Sequence, residues 1–219
     1  FGTKSIKKVD KIVGPGGIFV TAAKSMVSNK VATDMVAGPT ELLIFADSKS
    51  NPRLVALDLI SQSEHSNDTL CGMVTTSRHM AMRVREEINE LIRSKGGVQR
   101  HGIVTESLKE NGFVAVCKRE SDAIEFINEF APEHLEVMTV NASSVVKKII
   151  SAGLILIGEY TPSAASDYCL GSNHVLPTLG FAKSRAALSV LDFLKMISCI
   201  ELDRGGLEKI ESCVKEITT

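Results

Sequence analysis

The sequence has no tryptophan, only two tyrosines in 219 residues, and a net charge of −1. Near neutrality removes the basic field with which proteins collect on nucleic acid or on acidic membrane surfaces. No apolar run reaches the roughly 18–20 residues that a membrane-spanning helix needs, and the opening FGTKSIKKVD does not read as a secretory signal. The five cysteines (Cys71, Cys117, Cys169, Cys199, Cys213) are dispersed, odd in number and never in a CxxC pair. That argues against a disulfide framework or a cysteine zinc site, and for reduced thiols in a cytoplasmic protein. At 44% hydrophobic and 23% charged the composition is that of a globular protein, long enough for one large domain or two small ones.

What is there alternates. ELLIFAD (41–47), LCGMVTT (70–76), GFVAVCK (112–118), LEVMTV (135–140) and GLILIGEY (153–160) have strand length and composition. Between them, residues 51–65, 78–94, 120–130 and 141–152 carry helical apolar spacing, with Met82, Val84, Ile88, Leu91 and Ile92 as the stripe of the second. Asn51–Pro52 is a cap and first-turn pair, and Gly153 is placed to end the last of these helices. This rhythm predicts an α/β fold, a parallel sheet flanked by helices in incomplete Rossmann-like units, with a helical C-terminal tail. Residues 1–37 read as part of a nucleotide-binding-like βα domain and 38–183 as the main α/β domain with the metal and catalytic residues. Residues 184–219 read as a helical tail broken at Gly205–Gly206, apolar enough (Leu188, Val190, Leu191, Phe193, Leu194, Ile197, Ile200) to be a dimer arm.

Four clusters could carry chemistry. GPGG (14–17), between strand and helix, lets backbone amides approach a phosphate, or is simply a tight βα turn. Gln62 and His65 share a face at a helix end, where they could reach one metal or face solvent. Glu133–His134, in FAPEHLEVM, joins a carboxylate to an imidazole of unperturbed pKa near 6.5: either proton-handling groups or a salt-bridged corner. Asp167, Asn173 and His174 lie in SDYCLGSNHVLPT after an apolar strand, where active sites of parallel α/β proteins gather, and Asp167 could complete an oxygen–nitrogen shell with Gln62 and His65. The alternative there is a polar loop. His79 and His101 read as surface residues, and Cys169 as a bystander without an activating base.

Taken together, KVDKIVGPGGIFVTAAK, DMVAGPTELLIFAD, ALDLISQSEH, APEHLE, DYCLGSNHVLPT and LSVLDFLK, in this order, closely resemble the histidinol dehydrogenase family. The resemblance implies a zinc-dependent, NAD-linked enzyme of histidine biosynthesis that oxidises L-histidinol through histidinal to L-histidine. It would assign alcohol deprotonation to His134, activation of water to Glu133, and zinc ligation to Gln62, His65 and Asp167. Substrate contacts would come from those ligands together with Thr40, which stands where the family commonly has Ser, and from His134 and His174. Gly17 takes the position of a usual NAD-contacting Asn, and Ser166 that of a usual Gly. The resemblance also implies a chain truncated at both ends and inactive alone, the complete enzyme being a homodimer with a shared active site. Two alternatives are a catalytically inactive binding or assembly protein of this family, and a paralogous dehydrogenase of another small alcohol. Neither nucleic acid nor membrane is expected as a partner.

Overall fold

The chain enters through a two-stranded parallel sheet, β1 (Lys11–Ile12) and β2 (Ala32–Thr33), joined by helix α1 (Ile18–Val27). The computed structural model describes residues 2–35, 38–94 and 98–217, so the predicted link into the next strand at residues 36 and 37 lies outside the described residues. The GPGG turn is held by a buried ion pair behind it. Asp34 accepts the Gly14 N–H at 2.7 Å and the Lys24 ammonium at 2.7 Å, and Lys24 donates to the Gly14 carbonyl as well. Gly14 sits at φ +128°, a conformation closed to residues with a Cβ.

A five-stranded parallel sheet follows, in the order β5-β4-β3-β6-β7: β3 (Glu41–Ala46), β4 (Leu70–Thr75), β5 (Phe113–Val116), β6 (His134–Met138) and β7 (Leu154–Ile157). All six residues of β3 are buried, because helices cover both of its faces. Leu42, Ile44 and Ala46 meet the core built by α2 (Pro52–Ser63), α3 (Arg78–Arg93) and α4 (His101–Asn111), whereas Leu43 and Phe45 meet that of α5 (Glu120–Phe130) and α6 (Ala142–Val146). That is the period of two expected of a strand. A short helix α7 (Ser163–Ser166) runs against α2. Asn51 caps α2, its side chain accepting from the Arg53 N–H.

Several expectations need correction. In α3 the buried stripe is Met80, Val84 and Leu91, with Ile88 and Ile92 beside it; Met82 is 49% exposed, one turn position off the seam. Helix α4 was not expected, since its segment offers little beyond Ile103, Val104 and Leu108 as an apolar stripe. Gly153 does not end a helix, for α6 stops at Val146. It is instead the point where backbone passes close to the residue ahead of β6, and a Cβ there would sit 2.6 Å from the Glu133 carbonyl oxygen. The chain divides into compact units of residues 1–189 and 190–219. The second is not one long helix broken at the glycines: a 3-10 turn at Val190–Phe193 is followed by non-helical chain, and α8 (Arg204–Ile217) begins just ahead of Gly205–Gly206. Asp203 makes that start possible by accepting the Gly206 N–H at 2.7 Å. Among the described residues no helix is long and apolar enough to cross a membrane.

Candidate active site

Thr40 precedes β3 and Glu133 precedes β6, and these neighbouring strands pair with Leu42 opposite His134. The site is built on the amino ends of these strands, and Asp167, in the stretch after the apolar strand β7, is brought to it by α7. The C-terminus of α2 returns to the same edge with Gln62 and His65, and α7, packed along α2, delivers Asp167 just after its last residue.

The Glu133 carboxylate is the hub. Its Oε2 accepts the Thr40 hydroxyl at 2.7 Å and the Glu41 N–H at 2.9 Å, and lies 3.5 Å from His134 Nδ1. Burial would push Glu133 up, but His134, Thr40 and the Glu41 N–H together hold its carboxyl below the usual range. The His134 ring is 3% exposed. Burial disfavours its charged form, yet Glu133, the Glu41 carbonyl and the charge of Asp167 outweigh this and raise its pKa. His134 Nδ1 faces only acceptors, the Glu41 carbonyl at 3.2 Å and Glu133, so Nδ1 is assigned the proton. Nε2, buried and without a hydrogen-bond partner among the described residues, is left with its lone pair in the neutral ring.

The same logic orients Gln62. Thr40 gives its proton to Glu133, so it can only accept from Gln62, whose Nε2 donates to it at 3.0 Å. The amide oxygen is thereby turned toward α7, where the Ser163 hydroxyl donates to it at 3.2 Å. Asp167 accepts from His174 Nδ1 at 3.0 Å. A cleft of about 620 Å³ is lined by the GPGG turn, Thr40, His65, Glu133 and His174. Gly17, the cap of α1, leaves open space where a side chain would project. Of the eight residues singled out in the sequence, Gly17, Thr40, His65, Glu133 and His174 thus face one cleft. Gln62 joins them through Thr40, Asp167 through His174, and His134 lies behind Glu133. The Thr40 hydroxyl is spent on Glu133 and Gln62, which makes it a positioning group as well as a possible contact. Cys169 is exposed, with its sulfur 3.6 Å from the Ala165 carbonyl.

Two features escaped sequence reasoning. Glu41 opens an apolar strand run and gives no sign that it is wound into the site. Asp58, half-buried, and Glu136, fully buried, are two acids from apolar stretches that interact across α2 and β6. Burial and then the charge of Asp58 push Glu136 up to about 9, and burial raises Asp58 as well. Ser163 N–H donates to Glu136 Oε1 at 2.7 Å.

The profile of the family described as histidinol dehydrogenase matches residues 1–219, the whole chain. The chain belongs to the histidinol dehydrogenase family. A histidinol dehydrogenase of Methanocaldococcus jannaschii is 44% identical over 214 residues, spanning 98% of this chain and 49% of the relative. One from Oceanobacillus iheyensis is 42% identical, spanning 94% and 48%. The crystal structure of histidinol dehydrogenase from Elizabethkingia anophelis superposes with a TM-score of 0.89 at 35% identity, covering 99% of this chain and 49% of that one. The chain spans about half the length of the histidinol dehydrogenases it matches. The expected parallel α/β architecture is that of this family.

Proposed function

We propose that this chain carries the proton-handling part of an NAD-linked, zinc-dependent histidinol dehydrogenase, which converts L-histidinol through L-histidinal to L-histidine. The observation that carries the reading is the pair at the start of β6: a buried imidazole with an unpartnered Nε2 beside a carboxylate held ionised on a cleft wall. Oxidising an alcohol to an acid requires one base for the alcohol proton and another for the water added to the aldehyde. His134 Nε2 accepts the alcohol proton as hydride leaves the carbinol carbon. Glu133, with Oε2 already held by Thr40 and Glu41, takes a proton from water as its oxygen bonds to the aldehyde carbon; a second hydride then leaves.

NAD, as the hydride acceptor of both steps, fits the side of the cleft lined by GPGG, where Gly14 and Gly17 leave the backbone uncovered at the start of α1. Zinc fits the donor chemistry of the Gln62 amide oxygen, the His65 imidazole and the Asp167 carboxylate. Among the described residues no group of three or more His, Cys, Asp or Glu could hold a metal, so the set reaches three only through the amide that Thr40 orients. Bound there, the metal would fix the substrate by its imidazole and amino nitrogens, with His174 steadying Asp167. The active form is proposed to be a cytoplasmic homodimer that completes the site between subunits. Its support is the row of side chains from Val190 to Ile200, many of them apolar and more than 60% exposed.

The test is to supply the protein as encoded with NAD, zinc and L-histidinol. Two NADH formed per histidine released is the expected stoichiometry. Turnover of other small alcohols with none of histidinol would contradict the assignment.

A further inference from the structure

Glu41 is 5% exposed and hydrogen-bonds to Glu133, His134 and Leu179. Its main chain serves the two proton-handling residues: the N–H donates to Glu133 Oε2 at 2.9 Å and the carbonyl faces His134 Nδ1 at 3.2 Å. Its side chain returns the favour. Oε2 accepts Glu133's own N–H at 3.2 Å, so Glu41 and Glu133 each hold the other's backbone. Oε1 accepts the Leu179 N–H at 2.9 Å. Leu179 lies on the cleft wall at φ +56°, a left-handed conformation that leucine rarely adopts without outside support. Its side chain occupies the space left by Gly38, where a Cβ would come within 2.5 Å of Leu179 Cγ, and the Gly38 N–H donates to the Thr178 hydroxyl at 2.7 Å. One buried carboxylate therefore spans the start of β3, the Glu133–His134 corner and the turn that closes the cleft.

We propose that Glu41 is a positioning residue: by accepting the Glu133 and Leu179 N–H groups, its carboxylate holds the base pair and the cleft wall in one register and keeps the His134 Nδ1 proton on the Glu41 carbonyl. A strand could begin without it, because the β3–β6 ladder and the apolar core on both faces hold β3 in place. What the carboxylate adds is the orientation of the Glu133–His134 corner against the Leu179 turn of the cleft wall. Glutamine in its place keeps the shape but turns one of the two acceptors into an NH₂ that faces an N–H donor. A loss of alignment on the scale of a fraction of an ångström is enough to slow chemistry without weakening binding.

This rests on the dehydrogenase reading, and its test separates the two. Glu41→Gln is compared with the parent in the protein as encoded, first by kcat and KM for histidinol and for histidinal. It is then compared by imidazole ¹⁵N NMR of His134, assigned with His134→Ala and independent of turnover. The expected result is a fall in kcat of about tenfold or more for both substrates, with KM changed by less than about threefold. The nitrogen shifts should move from an Nδ1-protonated ring toward a mixture of tautomers. Unchanged kcat, a rise in KM alone, or lower kcat with an unmoved nitrogen signature would each overturn the proposal. If the parent turns over neither substrate, the dehydrogenase reading fails while the ¹⁵N comparison alone still decides the role of Glu41. If Glu41→Gln does not fold, the same readings on Glu41→Asp, which keeps the charge but cannot reach both donors, decide in its place.

Discussion

His134 is pulled in two directions, burial against its charge and Glu133 for it, and the balance raises its pKa above the ordinary 6.5. A base must be deprotonated to work, so alcohol oxidation should rise with pH through a limb displaced above 6.5. Glu133→Gln removes the main group that raises it and should move that limb to lower pH, measured as kcat/KM for histidinol against pH. Glu133 shifts the other way and stays ionised across this window. Cys169 follows Asp167 by two residues, but it is exposed and its sulfur donates to the Ala165 carbonyl at 3.6 Å. Cys169→Ser should retain most histidinal turnover; loss of that step with folding intact would move the nucleophile from water to sulfur. The sequence made Glu133–His134 stand out because an acid and an imidazole are costly to place among apolar residues without a purpose, whereas Gln62, His65 and Asp167 lie in polar stretches and were drawn together by the family resemblance. Glu41 and Glu136 were not legible: each is a single acid in an apolar strand, and only the tertiary fold reveals what its oxygens accept.

Among the elements, β3, β4 and β6 were legible because helices on both sides make them continuously apolar, and α2 because Asn51–Pro52 marks its start. Helix α4 and the 190–203 segment were not. One has too sparse an apolar stripe to announce a helix, and the other has apolar residues on every side, so no face stands out. The half-buried Asp58 and buried Glu136 link two elements, α2 and β6, and Glu136 holds the first N–H of α7. Glu136 Oε2 is buried without a hydrogen-bond partner among the described residues, and burial together with the charge of Asp58 disfavours its ionised form. Its sign is the reverse of the usual acid. Glu136 stays protonated in the fold up to about 9 but ionises near 4.5 in the unfolded chain, so the unfolded state binds fewer protons between those values. Stability should therefore fall as pH climbs through that range. Glu136→Gln should flatten the decline, read as Tm between pH 6 and 9; an equally steep decline in the variant would contradict it. Because α7 ends one residue before Asp167, the pair also supports one side of the proposed metal set.

For the whole molecule, the exposed apolar side chains from Val190 to Leu202 support the proposal of a site completed by association. If residues of both subunits build each site, turnover should fall as dilution dissociates the protein, with activity and sedimentation following the same concentration dependence. A species shown by sedimentation to be monomeric at assay concentration, yet turning over at the full rate, would contradict this. The central claim is narrower: two adjacent residues at the amino end of β6 divide two proton transfers between them. It is tested most directly by assaying histidinol and histidinal separately in Glu133→Gln and His134→Ala. The account predicts that His134→Ala loses alcohol oxidation and Glu133→Gln mainly loses aldehyde oxidation, each by on the order of 10²–10⁴-fold. Equal losses on both substrates in both variants would contradict it.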